Sequence, residues 1–97
     1  MRADLEDLKD KVSIVELIEY LGGEVRSGYG EWKPTRCPFH TDRTASASTG
    51  RIAFVCHGCG APERDDGKAG DIFDVAKHHL QTNDFREARE WIEKTFS

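Results

Sequence analysis

Apolar positions divide the chain into three stretches of different period. Ile14, Leu17, Ile18 and Leu21 recur at i, i+3, i+4 and i+7, the spacing of one buried face of a helix. Ser13-Ile14-Val15-Glu16 opens it as a capping box, with Val12 and Leu17 at the staple positions, and Gly22-Gly23 closes it. Leu5, Leu8 and Val12 suggest a short preceding helix. The middle of the chain changes to period two. Glu31 to Arg36 reads as a strand that Pro34 restricts to a sheet edge or to a short length, because proline lacks a ladder donor. Ala45 to Ser48 and Arg51 to Val55 flank Thr49-Gly50, which predicts a hairpin with a two-residue turn. In the hairpin, alternation sets Arg51, Ala53 and Val55 apart from Ile52 and Phe54. If Ile52 and Phe54 face inward, Arg51 faces outward. Helical period returns after a polar loop, Ala61 to Ala69. Asp71 caps a helix through about Leu80, with Ile72, Val75, Ala76 and His79 or Leu80 at helical spacing. Asn83 and Asp84 start a last helix whose buried stripe is Phe85, Ala88, Ile92 and Phe96.

Two ligand pairs interrupt the β segment. Cys37-Pro38-Phe39-His40 offers C-x-x-H, and Cys56-His57-Gly58-Cys59 offers C-x-x-C. Two intervening residues in a tight turn bring two donor atoms to one metal, and two such turns complete a tetrahedron. Three thiolates and one imidazole make a closed structural zinc site, with no position left for a substrate. A redox C-x-x-C belongs at a helix N-terminus, whereas Cys59 is followed by Gly60-Ala61-Pro62. His57 adjoins a ligand and could compete for the metal, but it breaks the pair spacing. His78 and His79 read as a surface residue and a packing residue. The fold class that follows is α+β: a small zinc ribbon with an antiparallel sheet, an N-terminal helix and two C-terminal helices.

Length and cysteine count agree with a metal staple. The chain has 97 residues and three cysteines, an odd number that leaves one thiol over in any disulfide scheme. So short a chain has a small core that a metal would help to hold. No apolar run approaches the roughly 20 residues of a membrane span, so no membrane partner is expected. The sequence reads as that of a cytosolic protein without a signal peptide. Net charge is −4, which argues at first against a nucleic-acid partner. Its distribution changes that. Residues 1–23 carry 3 basic and 6 acidic side chains, residues 24–60 carry 5 and 3, and residues 61–97 carry 6 and 9. The metal-bearing segment alone is basic.

The residues just quoted resemble a known family. Cys37-Pro38-Phe39-His40, Asp42, Ser46, Phe54, Cys56, Gly58-Cys59-Gly60, Gly70-Asp71, Phe85 and Glu87-Ala88, with the helix bearing Ile14 to Ile18, resemble the zinc-binding domain of bacterial and phage-type DNA primases. The resemblance runs from about Leu8 to Trp91, so residues 1–97 read as a single such domain. It departs from the family at Ala45, usually proline, at His57, usually aromatic, and in the length of the stretch from Ala61 to Ala69. The resemblance implies a domain that engages single-stranded template DNA and helps to select where a primer starts. It implies a separate Toprim-type catalytic subunit as partner, in a bacterial or phage-infected host cytoplasm. No catalytic residue is expected in this chain, because Asp65-Asp66 is a charged pair in a loop and not a strand-borne acidic cluster.

Single-stranded DNA is held by cations along its phosphates and by aromatic faces under its bases. The candidate cations are Lys33, Arg36, Arg43 and Arg51, with His57 beside the metal. The candidate aromatics are Tyr29, Trp32, Phe39 and Phe54. Of these, Trp32 and Phe54 are expected in the core and Phe39 against the metal site, and Trp91 of the last helix is expected to be partly buried. The alternative is a protein-interaction module, in which the acidic helices and the loop from Ala61 to Ala69 dock a replicative helicase or the primase polymerase subunit without direct DNA contact.

Overall fold

The computed structural model describes residues 12–27, 30–41, 45–62 and 69–96. Leu5, Leu8, Tyr29, Asp42, Arg43 and Asp65-Asp66 lie outside the described residues. The described residues form three helices and a four-stranded antiparallel sheet, a small α+β domain. The order is α1 (Ile14–Tyr20), β1 (Glu24–Val25), β2 (Lys33–Arg36), β3 (Ala47–Thr49), β4 (Phe54–Cys56), α2 (Ile72–Leu80) and α3 (Phe85–Phe96).

Each helix starts where a side chain can accept orphan amides. The Ser13 hydroxyl accepts from the Val15 and Glu16 N–H groups at 3.1 and 3.4 Å. Asp71 and Asp74 form a reciprocal capping box at the head of α2. Asp84 accepts from the Arg86 N–H at 2.9 Å. Gly22, at φ 105, turns the chain out of α1 in a conformation that a Cβ would oppose.

The sheet runs β1-β2-β3-β4 in sequence order. Its inner face carries Thr35, Ala47, Thr49, Phe54 and Cys56, all buried, and these join Val12, Ile14, Leu17, Ile18, Ile72, Phe73, Val75, Ala76, Ala88 and Ile92 in one core. Thr35 and Thr49 are the polar members. Their hydroxyls lie 2.7 Å apart, and Thr35 also donates to the Lys33 carbonyl at 2.9 Å. The outer edge of β4 is covered by paired bonds between Phe54 and Gly70 and by the Cys56 N–H donating to the Ala61 carbonyl.

Four expectations change. The hairpin turn is Gly50 to Ala53, not Thr49-Gly50: Thr49 pairs with Phe54, and the Gly50 N–H donates to the Ala53 carbonyl at 2.7 Å. Burying the Thr49 hydroxyl against Thr35 outweighs the shorter turn, which would have required an unfavourable threonine backbone. Ile52 therefore sits in the turn, 74% exposed, while Phe54 is fully buried. The strand of Pro34 meets its expectation by being short, and it lies inside the sheet. Its carbonyl accepts from Arg26, so its N side also points toward β1 and beyond that strand's two residues, where no ladder donor is needed. Trp32 is 45% exposed rather than in the core, and Phe85 is 41% exposed although its ring lies 4.8 Å from that of Phe73. Strand β1 had no alternating run to announce it; two residues are too few to show a period.

Candidate metal centre

Two turns carry the cluster. One follows β2 directly, so that Cys37 is buried and His40 half-buried; the other follows β4, with Cys56 buried at the strand end and Cys59 exposed. The β2–β3–β4 ladder aligns Thr35 with Ala47 and Ala47 with Cys56, which sets the two turns side by side. The donor atoms of Cys37, His40, Cys56 and Cys59 all lie within 4.8 Å of one another.

The distances fit zinc. A tetrahedron with Zn–S near 2.3 Å places two sulfurs about 3.8 Å apart, and a sulfur and an imidazole nitrogen about 3.6 Å apart. The Cys37 and Cys59 Sγ atoms are 3.7 Å apart, and His40 Nε2 is 3.3 Å from Cys56 Sγ. His40 Nδ1 lies 3.0 Å from the Thr41 carbonyl, a partner for a ring N–H at Nδ1 that puts the coordinating lone pair on Nε2. Backbone amides aim at the sulfurs: Phe39 N–H at Cys37 Sγ and Cys59 N–H at Cys56 Sγ, each at 3.4 Å. The four residues are thus positioned to bind one zinc ion.

The thiols are unequal without the ion. Burial pushes the Cys37 thiol far up, and the neighbouring Cys56 charge adds to this. Cys59 is also raised, first by burial. Cys56 is drawn down to about 6: burial opposes ionisation, but the Cys59 amide, the Ser46 hydroxyl, His40 and the Gly58 amide together outweigh it. Gly58 must stay small, because a Cβ there would meet Ser46 Oγ at 2.9 Å and His40 Nε2 at 3.2 Å.

Among the remaining candidates, His57 is exposed and stands outside the ligand group. Phe39 packs as expected beside the site, its ring 6.2 Å from Phe54 and 4.5 Å from His78. His79 is exposed and lies 4.9 Å from Trp91, which is half-buried. Arg36 is exposed on the outer sheet face and Arg51 is exposed in the hairpin turn; Lys33 is half-buried at the inner-face register of Thr35. Within β2, alternation puts Pro34 and Arg36 on the outer face, with Pro34 beside Ser48 and, through it, Val55. Trp32 lies over Gly50, three of its ring carbons within 3.3 Å of where a Cβ would stand. The exposure of Trp32 was missed because tryptophan is ordinarily a core residue; its offset of two from Pro34 and four from Arg36 was the available signal.

A small α+β fold whose two adjacent turns close a Cys3His site defines a structural zinc finger. The chain belongs to the CHC2 zinc finger family, whose model matches residues 1–96. Over 64 residues, 62% of this chain, it is 42% identical to a DNA primase of Aquifex aeolicus (strain VF5), and the match covers 12% of that primase. The chain is a zinc-finger domain of the DNA primase family. No solved structure matches it. No helix among the described residues is long and apolar enough to cross a membrane.

Proposed function

We propose that this domain is the zinc-stabilised module that recognises single-stranded template DNA for a primase and acts without catalytic residues of its own. Its partner in this reading is a separate Toprim-type catalytic subunit, with a replicative helicase as a further partner in replication. The observation that carries the reading is the open face of the sheet. Trp32, just before β2, presents an exposed indole over Gly50, Arg36 is exposed at the end of β2, and Arg51 is exposed in the hairpin turn that Gly50 opens. An aromatic platform beside cations is what a single strand requires. Arg43 and His57 are further proposed contacts, and Lys33 is one off this face, at the inner-face register of β2. Zinc takes no part in chemistry; it fixes the two turns that flank this face.

The test is a fluorescence-anisotropy titration of labelled single-stranded oligonucleotides with the zinc-loaded chain at low salt. Four phosphate contacts would give a log–log salt slope near −3. Trp32→Ala should weaken binding about five- to 150-fold, since one stacked base contributes roughly 1–3 kcal/mol. Absence of binding at high micromolar protein in low salt would remove the template-recognition reading.

A further inference from the structure

Aromatic rings also gather away from the metal and the open sheet face. Tyr20, the last residue of α1, sets its ring edge-on to Trp91 at 6.1 Å and to Phe96 at 5.4 Å, both on α3. Trp91 and Phe96 lie 6.3 Å from each other, and His79 of α2 is 4.9 Å from Trp91. Trp91 and Phe96 are partly buried against the core, whereas Tyr20 is 63% exposed on top of them. An exposed tyrosine seated on a half-buried tryptophan and phenylalanine is a feature of recognition surfaces, where tyrosine and tryptophan dominate binding energy.

Charge around the group selects the partner. Glu16 lies one helical turn before Tyr20 and Glu19 beside it; Glu87 lies one turn before Trp91 and Glu90 beside it, and all four are exposed. Helix α1 contains no basic residue. Helix α3 also carries three cations: Arg86 beside Glu87, Arg89, which is engaged with Glu93 at 3.1 Å, and Lys94 one turn past Trp91. Carboxylates on two helices repel a phosphate backbone, whereas π-faces and carboxylates both attract cations. A guanidinium satisfies both at once, because it stacks flat on an aromatic ring and forks to a carboxylate.

We propose that Tyr20, Trp91 and Phe96, bordered by Glu16 and Glu87, form a docking surface for a protein segment that presents an arginine beside an apolar side chain. The proposal is independent of the DNA reading.

The test is a titration of the zinc-loaded, 15N-labelled chain with a blocked amphipathic peptide of leucine and arginine, and with its leucine–glutamate counterpart. The arginine peptide is expected to shift Tyr20, Phe96 and the Trp91 indole N–H first, and the glutamate peptide to shift none of them. Tyr20→Ala should weaken the arginine peptide at least tenfold. The double variant Glu16→Lys, Glu87→Lys should do the same while leaving the aromatic group in place, which keeps the test decisive if the tyrosine variant folds poorly. Oligonucleotide affinity should not weaken in either variant. Shifts spread over the whole acidic surface, equal binding of the two peptides, undiminished affinity in the charge variant, or no binding at millimolar peptide would overturn the proposal.

Discussion

Zinc uptake should expel a defined number of protons, set by how the fold treats the three thiols. Metal binds thiolates, so every thiol still protonated must release its proton first. In the metal-free cluster burial holds Cys37 and Cys59 above the ordinary thiol range, while converging donors hold Cys56 at about 6. Between pH 7 and 8, Cys56 is already largely ionised, and the two raised thiols each surrender a proton. Apparent zinc affinity should therefore rise about a hundredfold per pH unit, tenfold for each proton displaced. Below pH 6 the Cys56 proton joins them and the dependence steepens. The sign is fixed by the raised pair: acidification weakens the metal-bound state and alkalinity strengthens it. Competition against a chromophoric chelator, corrected for the chelator's own protonation, gives the slope. Calorimetry in buffers of different ionisation enthalpy counts the protons directly. A slope near three at pH 7 to 8 would mean that Cys56 is not preionised, and a slope near zero that all three thiolates exist before the ion arrives. Either result would refute the assignment.

Cys56→Ser removes the ligand at the buried end of β4, so the β half should lose its cooperative thermal transition; a melting curve in zinc that is the same as that of the parent chain would contradict the site's structural role. Gly58→Ala forces Ser46 or His40 aside and should lower zinc affinity at least tenfold without abolishing the fold, as read by the same chelator competition. The buried hydroxyl pair should respond asymmetrically. Thr49→Val removes a donor from Thr35, whose own proton still reaches the Lys33 carbonyl, and should cost about 1 kcal/mol; Thr35→Val strands the Thr49 hydroxyl and should cost about 1–3 kcal/mol. Urea unfolding of the zinc-loaded chain compares them, and equal costs would mean that the hydroxyl direction is wrong.

Features written in local spacing were legible from the sequence. Ser13, Asp71 and Asp84 mark their helices because capping depends on residues two or three positions away. The four ligands were legible because each pair is a tight turn. What escaped depends on partners far along the chain. Thr49 looks like a turn residue until Thr35, fourteen positions earlier, supplies a buried partner, and that contact moves the turn to Gly50–Ala53 and exposes Ile52. Trp32 looks like core until the sheet's outer face is seen to lie open.

The same ladder links the metal to the proposed template surface. Arg36 immediately precedes Cys37 and Val55 immediately precedes Cys56, and Ser48 pairs with Pro34 on one side and with Val55 on the other. The outer face is thus the reverse side of the strands whose ends hold zinc. Inner-face residues Thr35, Ala47 and Cys56 align across three strands, and this alignment forces Pro34, Ser48 and Val55 to align on the other side. A slip of one residue would invert every side chain, taking Trp32 and Arg36 off the open face. The turns bearing Cys37 and Cys56 can meet at one ion in one register only. Metal occupancy and oligonucleotide affinity should therefore fall together in a chelator titration. Affinity that persists after zinc is stripped would place the template contacts somewhere other than this sheet.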